Sequence, residues 1–246
     1  MGMKVEICCY SVESALIAEK VGAHRIELCD NYLEGGTTPS YAMIKQAIEL
    51  LTIPINVIIR PRGGDFLYTD LEYEVIKKDL LCVKELNANG VVVGFLNKDG
   101  SIDVDKINEI IELAKPMEVT FHRAFDMCKD PTIAVSQLIK AGVKRILTSG
   151  QKDKAIEGLD LISTLIKMAG NEIIIMPGSG VNANNIVELM EKTKAKEYHS
   201  SAMSFIVSDM EYFSDSINMG NSKSKDEFTK IIVDAQKVKA LLAKMK

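Results

Sequence analysis

Two cysteines and two histidines lie at or just beyond the ends of short apolar runs in this chain. Cys8 and Cys29 do so near the N-terminus, and His122 and His199 do so later. Thiolates bind soft ions such as Cu(I), and an imidazole can act as a general acid, a general base or a metal ligand. These residue types predict a Cu(I) site or a proton-transfer site; the alternative for the cysteines is two small buried hydrophobes.

Two glutamates accompany the cysteines. Glu6 lies two residues before Cys8, and Glu27 lies two residues before Cys29, so each carboxylate shares a strand face with a thiol. Burying a carboxylate costs several kcal/mol unless it is paired or used in a site. An internal ion-pair network is one interpretation, and its basic partners would be Arg25 and Arg60.

A catalytic site is the other interpretation of these buried charges. Glu6 or Glu27 would exchange a proton with His122, and Asp126 would orient the imidazole. A structural histidine with satisfied hydrogen bonds remains the alternative for His122. No Gly-x-Ser-x-Gly occurs, no lysine ends a predicted strand, and only three histidines are present, so the sequence argues against a serine hydrolase, a Schiff-base aldolase and a zinc hydrolase.

A third set of residues has the character of an anion site. The run Arg60–Phe66 contains two guanidiniums beside a double glycine, which suits bidentate binding of carboxylate or phosphate. A surface salt bridge within that run is the alternative. Glycine and serine turns after the later predicted strands offer further backbone donors. The candidate anion-binding residues are Arg60, Arg62, Asp65, Arg123, Ser149, Gly150, Gly178, Gly180 and His199.

The elements that must position these residues alternate along the chain. Eight strands are predicted at Val5–Cys9, Arg25–Leu28, Ile55–Arg60, Val91–Val93, Val119–His122, Ile146–Thr148, Ile173–Met176 and Glu197–His199. Helices are predicted at Ser11–Val21, Ser40–Leu51, Asp70–Leu86, Asp103–Leu113, Pro131–Ala141, Asp153–Met168, Asn182–Lys192 and Asp226–Leu242.

Eight strand–helix units in 246 residues, about 31 residues each, predict an α/β single-domain (β/α)8 TIM barrel over residues 1–246. A doubly wound open sheet is the competitor, but no Gly-x-Gly-x-x-Gly follows the first strand. The candidate residues at or just beyond the C-terminal ends of their strands would then meet at the mouth of the barrel; they are Cys8, Cys29, Arg60, His122, Ser149, Gly178 and His199. A polar loop at about 200–224 follows the last strand and is typical of a lid or functional loop.

Composition narrows the partners. The formal net charge of −4 predicts no nucleic-acid partner, and no apolar run predicts a membrane span. An odd count of five cysteines without Cys-x-x-Cys predicts reduced thiols and a cytoplasmic location. We expect no organic cofactor, a copper ion or a small anionic metabolite as partner, and a possible homo-oligomer.

Five motifs in this order resemble the CutC family. They are Arg25–Cys29, Gly35–Ser40, Ile59–Phe66, Val119–Asp126 and Leu147–Gly150. The resemblance implies a (β/α)8 barrel and a cytoplasmic role in copper homeostasis, with a Cu(I) site at two cysteines that match Cys8 and Cys29. His24 and Ser179 depart from the family pattern, where an acidic residue and a glycine are usual.

Two functions therefore stay open at the level of sequence. The first is a copper homeostasis protein that binds Cu(I) at a thiol pair at the barrel mouth. The second is a metal-independent barrel enzyme of isomerase or lyase type, acting on a small phosphorylated or carboxylated metabolite. Whether the chain is an enzyme does not follow from either pattern.

Overall fold

A computed structural model describes residues 2–212, 214, 217 and 227–245. The barrel strands are β1 (Lys4–Cys9), β2 (Arg25–Leu28), β3 (Ile55–Ile58), β4 (Gly90–Val93), β5 (Glu118–Phe121), β6 (Arg145–Thr148), β7 (Ile174–Pro177) and β8 (Glu197–Ser200). The helices are α1 (Val12–Lys20), α2 (Tyr41–Leu50), α3 (Asp70–Glu85), α4 (Val104–Ala114), α5 (Pro131–Ala141), α6 (Leu159–Ala169), α7 (Ile186–Thr193) and α8 (Ala235–Ala243).

The eight strands run parallel in the hydrogen-bonded order β7-β6-β5-β4-β3-β2-β1-β8. Strand β8 pairs with β1, in a register that places His199 opposite Glu6, so the sheet forms a nearly closed barrel with its seam between β7 and β8. This arrangement confirms the predicted (β/α)8 barrel. The order never reverses as a doubly wound sheet would require. None of the helices in the described ranges is long and apolar enough to cross a membrane.

Local signals explain where the helices begin. The side chain of Ser11 accepts a hydrogen bond from Ser14 N, and that of Ser40 accepts one from Met43 N, so each caps a helix start. Thr69 and Glu72 form a reciprocal capping box at the start of α3. These caps determine where the helices begin, and packing of the apolar helix faces against the outward side chains of the strands holds the helices around the barrel.

The interior of the barrel is polar near the N-terminal ends of the strands and holds an ion network. Arg25 contacts Glu6 and donates to Glu197 at 2.7 Å, and Arg145 donates to Glu197 at 3.1 Å and to Glu118 at 2.9 Å. The predicted pairing of Glu6 with Arg25 is thus present. Arg60 takes no part in this network.

The segment after β8 differs from its prediction. Met203–Val207 and Thr229–Val233 form two further strands, β9 and β10, which pair antiparallel. The expected loop at 200–224 therefore begins with a strand, and much of it lies outside the described residues. The predicted last helix began at Asp226, also outside them, but α8 begins only after Asp234, which caps it. Thr229–Val233 is rich in β-branched residues, and pairing with β9 decides its conformation.

Candidate functional site

A cavity of about 310 Å³ opens at the C-terminal ends of the strands. It is lined by Cys8, Tyr10, Glu27, Cys29, Tyr32, Gly35, Ile58, Arg60, Phe66, His122, Arg123, Leu147, Ser179, Gly180, His199 and Ser201. This is the end of the fold at which barrel enzymes place their chemistry.

The two predicted thiols meet on one wall of the cavity. Cys8 Sγ lies 3.6 Å from Cys29 Sγ, and both side chains are buried. In the parallel pairing of β1 with β2, Cys8 lies opposite Glu27. Glu27 precedes Cys29 by two positions, so the side chains of both point to the inner face that Cys8 also occupies. Cys9 points the other way, and its thiol donates to Ile7 O within the main core. Strand alternation therefore decides which cysteine reaches the cavity.

An imidazole and a carboxylate complete what we call the thiol cluster, formed by Cys8, Cys29, Glu27 and His199. Ligand atoms of Cys8, Glu27 and His199 all lie within 4.8 Å of one another. Glu6 Oε1 lies 2.8 Å from His199 Nδ1, and His199 Nε2 lies 3.7 Å from Glu27 Oε2. Glu6 holds the imidazole by one nitrogen and leaves the other directed at the cluster.

Mutual electrostatics shift the pKa of every member of the thiol cluster. The hydrogen bond from Cys29 brings the pKa of Cys8 well below its usual value against the effect of burial, whereas burial and the neighbouring Cys8 raise the pKa of Cys29. Burial would lower the pKa of His199, but hydrogen bonds to Cys8 and Glu6 raise it well above its usual value. These opposite shifts of the pKa of Cys8 and the pKa of His199 both favour a thiolate beside an imidazolium.

Burial and the Cys8 thiolate raise the pKa of Glu27 to about 8. Burial also acts on Glu6, but the charge of Arg25 and the hydrogen bond to His199 outweigh it and bring the pKa of Glu6 far below its usual value. Two inward carboxylates on neighbouring strands therefore differ in charge at pH 7. Glu6 belongs to the ion network beneath the cavity, and Glu27 belongs to the thiol cluster.

Arg60 and His122 lie on another part of the cavity wall. Arg60 donates to three backbone carbonyls, those of Glu34, Gly36 and Gly64. His122 accepts a hydrogen bond from Ala124 N at 3.1 Å. Burial and the positive charge of Arg60 lower the pKa of His122 to about 3, so its imidazole is neutral.

The predicted orienting role of Asp126 is wrong. Its carboxylate accepts hydrogen bonds from Thr148 Oγ1, from the backbone N–H groups of Ser149 and Gln151, and from the Ser149 hydroxyl. It therefore fixes the turn after β6. The N–H of Ala124, not Asp126, orients His122.

The second arginine of the predicted anion motif does not line the cavity. Arg62 donates to Glu72 at 2.5 Å and to Asp65 at 3.1 Å, and its guanidinium lies over the Tyr68 ring. This is the surface salt bridge that the sequence offered as the alternative for Arg62 and Asp65. Arg123 does line the cavity, but it also bonds Asp126 and Ser149.

Of the predicted anion-binding residues in the glycine and serine turns, only some line the cavity. Gly180 lines the cavity, whereas Ser149, Gly150 and Gly178 do not. A Cβ atom on Gly150 would meet Gly158 O at 2.5 Å, and one on Gly178 would meet the side chain of Leu147 at 2.4 Å. These two glycines therefore permit close packing between neighbouring segments.

Several cavity residues escaped the sequence analysis. Tyr10 and Tyr32 stack edge to face at 5.6 Å across the rim, and Ile58 packs against the two thiols. Gly94 makes room for His122, since a Cβ atom there would lie 2.3 Å from the imidazole. A glycine directly after β4 is the sequence signal for such a close approach.

The fold and the cavity first define a class: a (β/α)8 barrel whose C-terminal mouth gathers a thiol pair, an imidazole and a carboxylate. A family model described as the CutC family matches residues 3–204. A CutC family protein of Parabacteroides distasonis is 52% identical over 239 residues, covering 97% of this chain and 98% of that relative. The chain belongs to the CutC family.

Two further relatives agree. The copper homeostasis protein cutC homolog of Homo sapiens is 45% identical over 242 residues, covering 98% of this chain and 89% of that relative. A crystal structure from Streptococcus agalactiae, described as a CutC copper homeostasis protein, matches with a TM-score of 0.78 at 35% identity and covers 81% of this chain and 98% of that chain. A phosphoribosylanthranilate isomerase of Thermotoga maritima, 12% identical with a TM-score of 0.58, shares the fold alone.

Proposed function

We propose that this protein binds Cu(I) as its cargo at Cys8 and Cys29, with the imidazole of His199 as a third ligand. The observation that carries the proposal is the pair of buried sulfurs 3.6 Å apart, open to a cavity and adjacent to His199. Relatives that are named for copper homeostasis support the choice of metal.

The donor set suits a soft monovalent ion. Cu(I) prefers thiolate ligands, and imidazole is also a common ligand of copper. Two metal–sulfur bonds of about 2.3 Å each can join sulfurs up to about 4.6 Å apart, so one ion can reach both thiols without a shift of the backbone. Among the group of three, Glu27 offers oxygen, which is a hard ligand less suited to Cu(I).

The state of the thiols favours binding under reducing conditions. All five cysteines are free, and the hydrogen bond from Cys29 lowers the pKa of Cys8 well below its usual value, which favours the thiolate that a metal requires. Cu(I) binding needs deprotonated thiols and a neutral imidazole, so the raised pKa values of Cys29 and His199 mean that both groups release a proton when the metal binds. Free thiols also support our proposal that the protein acts in the cytoplasm, where thiols stay reduced.

The experiment is a competition for Cu(I) against a chelator under anaerobic, reducing conditions. We expect one tightly bound ion in the wild type and at least about a 100-fold loss of affinity in Cys8→Ala/Cys29→Ala. Cys82→Ala is the matched control, because Cys82 is an exposed thiol on α3 remote from the cavity lining. Equal affinity in the double variant and in the wild type would overturn the proposal.

A further inference from the structure

Three residues that line the cavity each contain a buried polar atom with no hydrogen-bond partner among the described residues; a fourth such atom, Tyr68 Oη, belongs to a residue that interacts with Arg60 but does not line the cavity. The three atoms are Arg60 Nε, His122 Nε2 and Glu27 Oε1, and their residues are only 6%, 5% and 4% exposed. Buried polar atoms in proteins are nearly always paired. Three unpaired atoms on residues that line one cavity point to a polar ligand that pairs with them once these side chains adjust to it.

The environment of Arg60 indicates that the ligand is an anion. Its Nη1 donates to Glu34 O at 2.6 Å and to Gly36 O at 2.9 Å, and its Nη2 donates to Gly64 O at 2.9 Å. These contacts fix the guanidinium, yet none of the ion pairs formed by the described residues includes it. A buried charge without a counter-charge is unfavourable, and an anionic ligand would supply the counter-charge.

His122 contributes a second donor with a defined orientation. Its Nδ1 accepts the N–H of Ala124, so the neutral ring carries its proton on Nε2, the atom without a partner. Phe66 contacts both residues, since its ring lies 5.1 Å from the Arg60 Cζ atom and 4.9 Å from the His122 ring, and the charge of Arg60 acts on the pKa of His122. A residue with a charged unpaired N–H group and one with a neutral unpaired N–H group therefore both line this cavity and both contact Phe66.

We propose that the cavity binds a small hydroxy-carboxylate, whose carboxylate accepts hydrogen bonds from Arg60 Nε and His122 Nε2 and whose hydroxyl group pairs with Glu27 Oε1. A single negative charge matches the single unpaired guanidinium, whereas a phosphate monoester carries about −1.5 to −2 at pH 7. The cavity of about 310 Å³ suits a small metabolite. This ligand is additional to copper and uses different donors on the same cavity wall.

The first test measures binding to metal-free, reduced protein by calorimetry and by ligand-observed NMR. The probes are glycolate, L-lactate, D-lactate and D-glycerate, with propionate as the matched acid without a hydroxyl group and inorganic phosphate as the simple anion. We expect saturable binding of at least one hydroxy acid, about tenfold tighter than propionate. Absence of saturable binding, or phosphate binding tighter than every organic acid, would overturn the proposal.

Substitution at the second donor tests the assigned atoms. In His122→Asn the shorter amide can still accept the Ala124 N–H, but the Nε2 donor is lost; we expect at least about a tenfold weaker Kd. His24→Asn is the matched control, because His24 Nδ1 likewise accepts a backbone N–H, that of Val5, and His24 is exposed and does not line this cavity. Equal Kd values for the two variants would contradict the assignment.

A measurement on the wild type keeps the test independent of variant folding. The ¹⁵N resonances of His122 report the tautomer directly, and we expect an Nε2-protonated ring whose Nε2 signal moves on titration with the bound hydroxy acid. Ligand binding that leaves this signal unmoved would refute the role of His122. We also expect His122→Asn to keep the Cu(I) affinity of the wild type within about threefold, so that failure here and failure of the copper proposal are distinguishable.

Discussion

The barrel interior contains two polar regions that differ in how far their groups are paired. Beneath the cavity, Arg25 and Arg145 join Glu6, Glu197 and Glu118 in a network of ion pairs. At the mouth, side chains that are just as buried leave donors and acceptors unpaired. The groups of the ion network are paired within the fold, whereas residues at the mouth keep unpaired polar atoms, which is the difference on which both proposed ligands depend.

The largest expected effect concerns the ion network. Arg25→Met removes a basic partner from the buried carboxylates of Glu6 and Glu197. Removing one member of a buried ion pair costs about 3–5 kcal/mol of stability. We expect the free energy of unfolding in urea to fall by this amount. Lys45→Met is the control, because the Lys45–Glu49 pair is exposed and should change stability by less than about 1 kcal/mol. Equal losses would remove the distinction between the network and surface pairs.

Glu27 provides a pH test of the mouth. Its pKa is raised to about 8 in the fold from an ordinary value of 4.5, so the folded state favours its protonated form and loses that contribution as the pH rises from about 5 to 8. Glu27→Gln removes this dependence. We therefore expect the variant to gain up to about 3 kcal/mol in unfolding free energy relative to the wild type between pH 5 and pH 8.

That measurement uses urea unfolding of reduced, metal-free protein at both pH values. The lowered pKa of Cys8 acts in the opposite direction in both proteins, so the difference between them reports the titration of Glu27 together with its effect on its neighbours in the thiol cluster. A difference between the two proteins that stays constant with pH would show that Glu27 is ionised throughout this range.

A smaller effect is expected for the thiols on stability. Cys8→Ala/Cys29→Ala removes the proposed copper ligands, but the small apolar cluster around them retains Ile58 and Val92. We expect a loss of about 1–2 kcal/mol in unfolding free energy, much less than for Arg25→Met. Thermal and urea unfolding of the metal-free variant would measure it. A loss as large as that of Arg25→Met would make the thiols part of the structural network.

The smallest effect is expected at the arginine that faces away from the cavity. Arg62→Gln removes partly exposed pairs with Asp65 and Glu72, which contribute about 0–1 kcal/mol each. We expect little change in stability and no change in Cu(I) affinity. A tenfold loss of Cu(I) affinity, measured by chelator competition, would show that the loop containing Arg62 takes part in the site.

Strand alternation predicted much of the fold and of the thiol cluster. The period of two placed Cys8 and Glu6 on one face of β1 and sent Cys9 to the other, as the structure shows. His199 was assigned to the anion set, but barrel closure pairs β8 with β1 and brings it to Glu6 and Cys8. That partnership follows from the predicted closure of the barrel, which pairs the last strand with the first.

The predictions that the structure contradicts concern residues whose contacts depend on segments distant in the sequence. Asp126 lies close to His122 in sequence, yet the turn after β6 offers it more N–H groups. Arg60 and Arg62 are alike in sequence, but only one points into the barrel mouth. The sequence predicts that Thr229–Val233 is part of the last helix, but this run forms a strand. Its partner strand, β9, lies in a segment for which the sequence predicts a loop.

X-ray absorption at the copper edge, on protein loaded anaerobically with one equivalent of Cu(I), tests the central claim most directly. The account predicts two sulfur neighbours and one nitrogen neighbour around copper, with the sulfur signal lost in Cys8→Ala/Cys29→Ala and retained in Cys82→Ala. A copper environment of nitrogen and oxygen alone, or a sulfur signal that persists in the double variant, would contradict it.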